Sequence, residues 1–298
     1  MGVLLVAFAC LLWALDTLIR YPLLGKGISA ETIVFIEHLI LVSIFAPVIW
    51  KSRFKFLKAK IPHIIYFLII GGLGSALGTL AFTKAFSLIN PSLVILLQKL
   101  QPLVAIGLAR ILLKEKMSLA FAGWALVCLV GGLLISFNDI SYGLNSINSL
   151  TDIVTKKHFL GYVLTLVAVI SWGASTVAGK KLSIAGYEEK EVMSGRFFTA
   201  FLFLIPMFVM GNISLGAGTI IWGKIALMVF VSGVLGMFFY YKGLKIISAR
   251  LCALSELFFP LFAVSINWIF LDQSLDITQI LGAGLLLLGS SVIQLKQY

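Results

Sequence analysis

Asp16, Glu37, His38, Lys84, Lys99, Arg196, Lys242 and Glu256 are ionisable side chains lying inside, or at the edge of, apolar stretches long enough to cross a bilayer. An ionisable group in hydrocarbon is costly, so each is a candidate for handling a substrate or ion, or for a gate that pairs when closed. Asp16, Lys84 and Lys242 stand near segment ends, where reaching for the interface is an equal explanation. For Arg196, near the start of its segment, that explanation is preferred. Lys99 is different, standing about 5 Å from the middle of its segment at roughly 1.5 Å per residue. Glu256 precedes Pro260 by four residues, as Gln98 precedes Pro102. A proline frees the carbonyl four residues before it, so each segment is expected to kink and to place a freed carbonyl beside a polar side chain. Gln98, Gln101 and Ala105 share a helix face by their spacing. A polar face there predicts a cavity wall, with a satisfied polar pair between two helices as the alternative.

Trp13 with Asp16, and Trp172 with Ser175, repeat an aromatic-then-polar pair three residues apart. Such a face suits a small zwitterion or a ring-bearing metabolite. Interfacial anchoring is the ordinary alternative for tryptophan, and it fits Trp50 and Trp222 better. Tyr240 and Tyr241 fit either description. The candidate substrate-contacting set is therefore Trp13, Asp16, Glu37, His38, Lys84, Gln98, Lys99, Gln101, Trp172, Ser175, Tyr240 and Glu256, with Pro102 and Pro260 as helix kinks.

The elements that must position these residues follow from composition. The chain has 298 residues, of which 60% are hydrophobic and 12% charged. Soluble domains carry about 25% charge, so this balance excludes disorder, a disulfide scaffold and an ordinary water-soluble enzyme. Cys10, Cys128 and Cys252 all sit in apolar runs and carry no redox signal. A spanning helix needs roughly 20 apolar residues. Ten runs qualify, at 2–19, 32–50, 63–86, 91–113, 119–137, 159–178, 193–211, 219–241, 250–271 and 277–295. The fold class is thus all-α and integral to a membrane.

The net charge of +11 is mostly a topology signal. With the N-terminus inside, the internal loops hold Lys51, Arg53, Lys55, Lys58, Lys60, Arg110, Lys114, Lys116, Lys180, Lys181, Lys190, Lys242, Lys245 and Arg250. The external ones hold Arg20, Lys26, Lys156 and Lys157, with Lys224 near an external helix end. That asymmetry places both termini in the cytoplasm. Charge so dispersed, with no binding module beside it, excludes a nucleic-acid partner.

A shift of 158 residues overlays Leu77-Gly78 on Leu235-Gly236, Phe82 on Tyr240, Lys84 on Lys242 and Pro102-Leu103 on Pro260-Leu261, and a shift of 159 overlays Trp13 on Trp172. Each half has five segments, an odd number, so the second enters from the opposite face. The expected architecture is ten transmembrane helices in two inverted five-helix repeats around a central cavity. The first repeat is 1–137, the second 159–298, and 138–158 is an external linker. Gly74 and Gly78, mirrored by Ser232 and Gly236, are expected at close helix contacts.

Each half resembles an EamA domain of the drug/metabolite transporter superfamily. The first carries Leu11-Leu12-Trp13-Ala14, Gln98-Lys99-Leu100-Gln101-Pro102, Leu112-Leu113-Lys114-Glu115 and Gly123; the second carries Ser171-Trp172-Gly173-Ala174, Pro260, Phe270-Leu271-Asp272-Gln273 and Gly282. Gln273 stands where the first half has Glu115, so an acidic helix cap in one half would lose its charge in the other. The resemblance implies a carrier working by alternating access.

The expected function is secondary active or facilitative transport of small polar metabolites such as amino acids, as an exporter or exchanger in a bacterial inner membrane. The partners are a small-molecule substrate and the lipid bilayer, with oligomeric state left open. No cofactor and no metal are expected, while Glu37, His38 or Glu256 leave proton coupling open. The alternatives are a non-transporting scaffold or receptor and an integral-membrane enzyme. Against the enzyme, the sequence lacks His-Glu-x-x-His, a Ser/His/Asp set and a metal-ligand cluster.

Overall fold

The computed structural model describes residues 1–89, 94, 97–135, 137, 141, 156–211, 213, 216, 218–271 and 276–296. Regular structure among them is helical throughout. Helix α1 spans Gly2–Gly25, α2 Ala30–Leu57, α3 Ile61–Ala85, α4 Gln101–Leu112 and α5 Leu119–Ile135. The second half supplies α6 Lys156–Ile184, α7 Glu189–Val209, α8 Thr219–Ile246, α9 Ala249–Ser255, α10 Phe258–Leu271 and α11 Ile277–Lys296. Six of these, α1, α2, α3, α6, α7 and α8, are long and apolar enough to cross a membrane, and α4, α5 and α11 are shorter apolar helices. Leucines and phenylalanines such as Leu4, Leu119, Leu126, Phe203 and Leu227 stand exposed around the outside, while serines, threonines and charges are buried within. That inversion suits a lipid surround.

The sequence predicts kinked helices over 91–113 and 250–271. Instead, the backbone breaks at Lys99–Leu100 and at Glu256–Leu257, and a new helix starts on the far side. Pro102 and Pro260 sit in the first turns of α4 and α10, where a missing backbone donor is harmless. The Glu256 carbonyl accepts the Phe259 N–H at 3.1 Å, so it is not left free. The linker 138–158 falls largely outside the described residues, as does Gln273.

Packing pairs the halves reciprocally. Helix α1 lies along α8 and α10, and α6 along α3 and α4; α2 pairs with α7, and α5 with α11. Local geometry repeats as well. In α3 the stretch Ile69–Leu77 widens into π-helix, and in α8 so does Val229–Gly236. Widened turns loosen the backbone ladder and need outside partners in a dry interior. Trp172 Nε1 donates to the Gly74 carbonyl at 2.9 Å, and Trp13 Nε1 to the Ser232 carbonyl at 3.3 Å. Each indole lies across a glycine: a Cβ at Gly78 would come within 3.0 Å of Trp172 Nε1, and one at Gly236 within 2.9 Å of Trp13 Nε1. The turns after α1 and α6 also correspond, each carrying a glycine at positive φ (Gly27 at 81°, Gly186 at 86°) before the next helix is capped by Ser29 or Glu188.

Candidate functional site

A cavity of about 1290 Å³, part of it open to solvent, lies between the halves. Its walls come from α1, α2, α3, α4, α6, α7, α8 and α10 and from the breaks at Lys99 and Glu256. Trp13 and Tyr240 form one side, with ring centroids 5.3 Å apart, and Phe82 and Trp172 the other, at 4.8 Å. Between these aromatic walls stand two polar clusters.

In the first cluster, Arg20 Nε donates to Asp16 Oδ1 and Nη2 to Asp16 Oδ2, both at 2.9 Å, a two-pronged pair across one turn of α1. Nη1 and Nη2 each reach Glu37 Oε2 at 3.2 Å, tying α1 to α2. Ser232 Oγ, from the widened turn of α8, donates to Asp16 Oδ2 at 2.7 Å. Arginine cannot deprotonate, and its planar fork fits a carboxylate, so this buried group stays ionised and fixed.

The second cluster surrounds Glu256. Gln101 Nε2 donates to Oε2, while the Tyr240 hydroxyl at 3.1 Å and Thr176 Oγ1 at 3.3 Å donate to Oε1. The break after α9 turns this carboxylate toward Gln101, at the start of α4 in the other half. Glu256 makes no ion pair among the described residues, and its hydrogen-bond donors are all neutral. Nearby, Arg196 Nη1 donates to Ser175 Oγ and to the Tyr241 hydroxyl, both at 3.0 Å.

Of the residues singled out by sequence, Trp13, Asp16, Glu37, Gln98, Lys99, Gln101, Pro102, Trp172, Ser175, Tyr240 and Glu256 line the cavity. His38, Lys84 and Pro260 do not. His38 is buried beside it, with Nδ1 2.8 Å from the Val34 carbonyl and Nε2 2.9 Å from Ser75 Oγ. Lys84 is exposed and pairs with Glu31, a surface tie between α3 and α2. Lys242 is likewise exposed, over the Phe238 ring.

Several cavity groups have roles that the sequence reading assigned differently. Arg20 reads as a loop charge because it follows the expected end of the first span, yet α1 runs on to Gly25. Its signal was the i, i+4 spacing from Asp16. Arg196 reads as an interfacial side chain, but it is 6% exposed and faces inward. Phe82, Thr83, Thr176 and Ser232 also line the cavity.

At one end of the bundle, polar contacts cross between the halves. Glu115 Oε1 accepts the Ala249 N–H at 2.9 Å and Oε2 the Arg250 N–H at 3.3 Å, capping α9. Lys55 pairs with Glu191 and donates to the Gly186 carbonyl at 3.1 Å. Beside them, Lys180 Nζ caps the end of α8 on the Leu244 and Ile247 carbonyls at 2.8 and 2.7 Å, and burial pushes the nearby Tyr187 hydroxyl up, with the Glu191 charge adding to that.

A lipid-facing helical shell around an aromatic and polar cavity, built by both halves, defines a membrane carrier. The chain belongs to the EamA-like transporter family, whose sequence profile matches residues 1–137 and 159–295. It is 30% identical over 305 residues to the protein named riboflavin transporter ImpX of Fusobacterium nucleatum subsp. nucleatum, covering 99% of this chain and 97% of that one. It is 24% identical to the uncharacterized transporter YyaM of Bacillus subtilis, covering 87% and 82% of the two chains. A crystal structure of a protein 15% identical in sequence shares the fold, with a TM-score of 0.75 over 99% of this chain and 96% of that one.

Proposed function

We propose that this protein is a secondary carrier that exports or exchanges small polar metabolites, in which two inverted five-helix repeats, 1–137 and 159–298, give access to the central cavity from alternate sides. The observation that carries this reading is a cavity walled by both halves, beside a set of contacts between halves gathered at one end. That end carries Lys55, Lys180, Lys245 and Arg250, an excess of positive charge that supports reading it as the cytoplasmic face. The ties hold it closed, and the cavity extends toward Arg20 and Tyr21 at the opposite end of α1. The membrane is read as a bacterial inner membrane with both termini cytoplasmic.

For the substrate, paired aromatic walls favour a flat ring system carrying polar groups. The relative named a riboflavin transporter, matched over nearly its whole length, supports a flavin-like molecule. Amino acids are the second reading, favoured by a lining that balances Asp16, Glu37 and Glu256 against Arg20, Lys99 and Arg196. Glu256, held by neutral donors, is the favoured point for proton coupling, because Glu37 is already paired with Arg20. The test is counterflow in proteoliposomes preloaded in turn with riboflavin, single amino acids and nucleosides. Saturable exchange of riboflavin supports the flavin reading, exchange of amino acids alone replaces it, and exchange of none contradicts the carrier reading.

A further inference from the structure

Arg196 presents a buried cation with unused donors. Its residue exposure is 6%, yet no carboxylate lies within ion-pair distance among the described residues. Both of its hydrogen bonds leave from Nη1 and end on the hydroxyls of Ser175 and Tyr241. Nε is buried and donates to nothing. A guanidinium stays charged at any accessible pH, and an unmet donor in a dry interior is expensive.

The packing around it explains why it stays there. The glycine before it, Gly195, lets the Phe67 ring close on α7, since a Cβ would come within 2.4 Å of that ring. The carbonyl of Arg196 accepts from Thr199 Oγ1 at 3.1 Å, in a contact that also reaches the Phe67 carbonyl. Two hydroxyls on different helices then fix Nη1, and Arg196 lines the cavity. Thr83 and Gln98 line the same cavity, and Thr83 Oγ1 and Gln98 Oε1 are likewise buried without partners. The cavity thus holds fixed polar groups whose bonding is unfinished, among them one strong directional donor.

We propose that Arg196 recognises the substrate by donating from its guanidinium to a carbonyl oxygen of a planar ring. This rests on the flavin-like reading above. A neutral carbonyl is favoured over an anionic group because acids and bases in the lining already balance, so an added anion would leave the site charged. The planar fork also supplies in-plane geometry that an ammonium does not.

The experiment measures riboflavin affinity in detergent, by flavin fluorescence, for the intact protein and for Arg196→Gln and Arg196→Lys, with the melting temperature of each. The 2-thio and 4-thio analogues of riboflavin, whose sulfur is a poorer acceptor, are run alongside. The expected result is that Arg196→Gln and Arg196→Lys each weaken riboflavin at least tenfold. The unchanged protein should disfavour one thio analogue at least fivefold, and that discrimination should vanish in Arg196→Gln. Equal riboflavin affinity in Arg196→Gln, or thio discrimination that survives it, overturns the proposal, whatever the melting temperature does. Recovery by Arg196→Lys overturns the carbonyl assignment. Absence of riboflavin binding to the unchanged protein sinks the substrate reading itself, a separate result.

Discussion

The Trp13–Tyr240 and Trp172–Phe82 contacts occupy corresponding places in the two halves, yet they serve different chemistry. Each tryptophan bonds a carbonyl in the widened turn of the other half and lies across a glycine there. These parts repeat because they solve a packing problem that both halves share. The polar groups beside them do not repeat. Asp16 meets Ser232, whereas at the matching place Ser175 meets Gly74, whose hydrogen leaves no room for a side chain: a Cβ there would lie 2.5 Å from Ser175 Oγ. Tyr240 donates to Glu256 while Phe82 has no hydroxyl, and His38 stands where the second half has Arg196. Duplication thus supplies the frame, and divergence at corresponding positions supplies a cavity with two unlike polar ends.

The unlike polar clusters should show the largest effects. Arg20→Gln strands two buried carboxylates and is expected to cost about 3–5 kcal/mol, read by denaturant or thermal unfolding in detergent. Its surface counterpart, Lys84→Gln, should cost about 0–1 kcal/mol, as exposed pairs do. A large effect at Lys84 would contradict its placement outside the cavity.

The shared frame comes next. Trp13→Ala and Trp172→Ala should each lose about 3–5 kcal/mol by the usual cost of emptying a large aromatic site, and by similar amounts. Strongly unequal losses would show that the two contacts are not equivalent supports.

Glu115→Gln is expected to weaken the α9 cap by about 1–2 kcal/mol. The chain supplies a probe, since Cys252 is buried in α9 just behind that cap. In a Cys10→Ala, Cys128→Ala background, maleimide labelling of Cys252 should become several-fold faster. An unchanged rate would mean that the cap does not hold this face closed.

The smallest effect belongs to the ring pairs. Tyr240→Phe removes one hydrogen bond to Glu256, about 1 kcal/mol, and should weaken substrate several-fold. Phe82→Tyr should leave affinity within twofold, because it restores the hydroxyl on the wrong side.

Much of the frame was legible from sequence because long apolar runs and prolines are strong local signals. The prolines marked where α4 and α10 begin, although a restart after a break differs from a kink. Arg20 was hidden because an arginine just past an apolar run reads as loop, whereas the pair with Asp16 and Glu37 lets α1 extend. Lys84 misled for the opposite reason: its place within an apolar run says nothing of which face it takes, and here Glu31 meets it at the surface. Arg196 depends on hydroxyls from two other helices, a long-range arrangement that local spacing cannot encode.

The most direct test of the central claim, one cavity reached alternately from either side, uses Thr79, which lines the cavity without joining either polar cluster. In a cysteine-free background, Thr79→Cys would be treated with a membrane-impermeant maleimide from each face of oriented vesicles. Labelling from both faces, and protection from both by riboflavin, is expected. Labelling from one face only, under all substrate conditions, would contradict it.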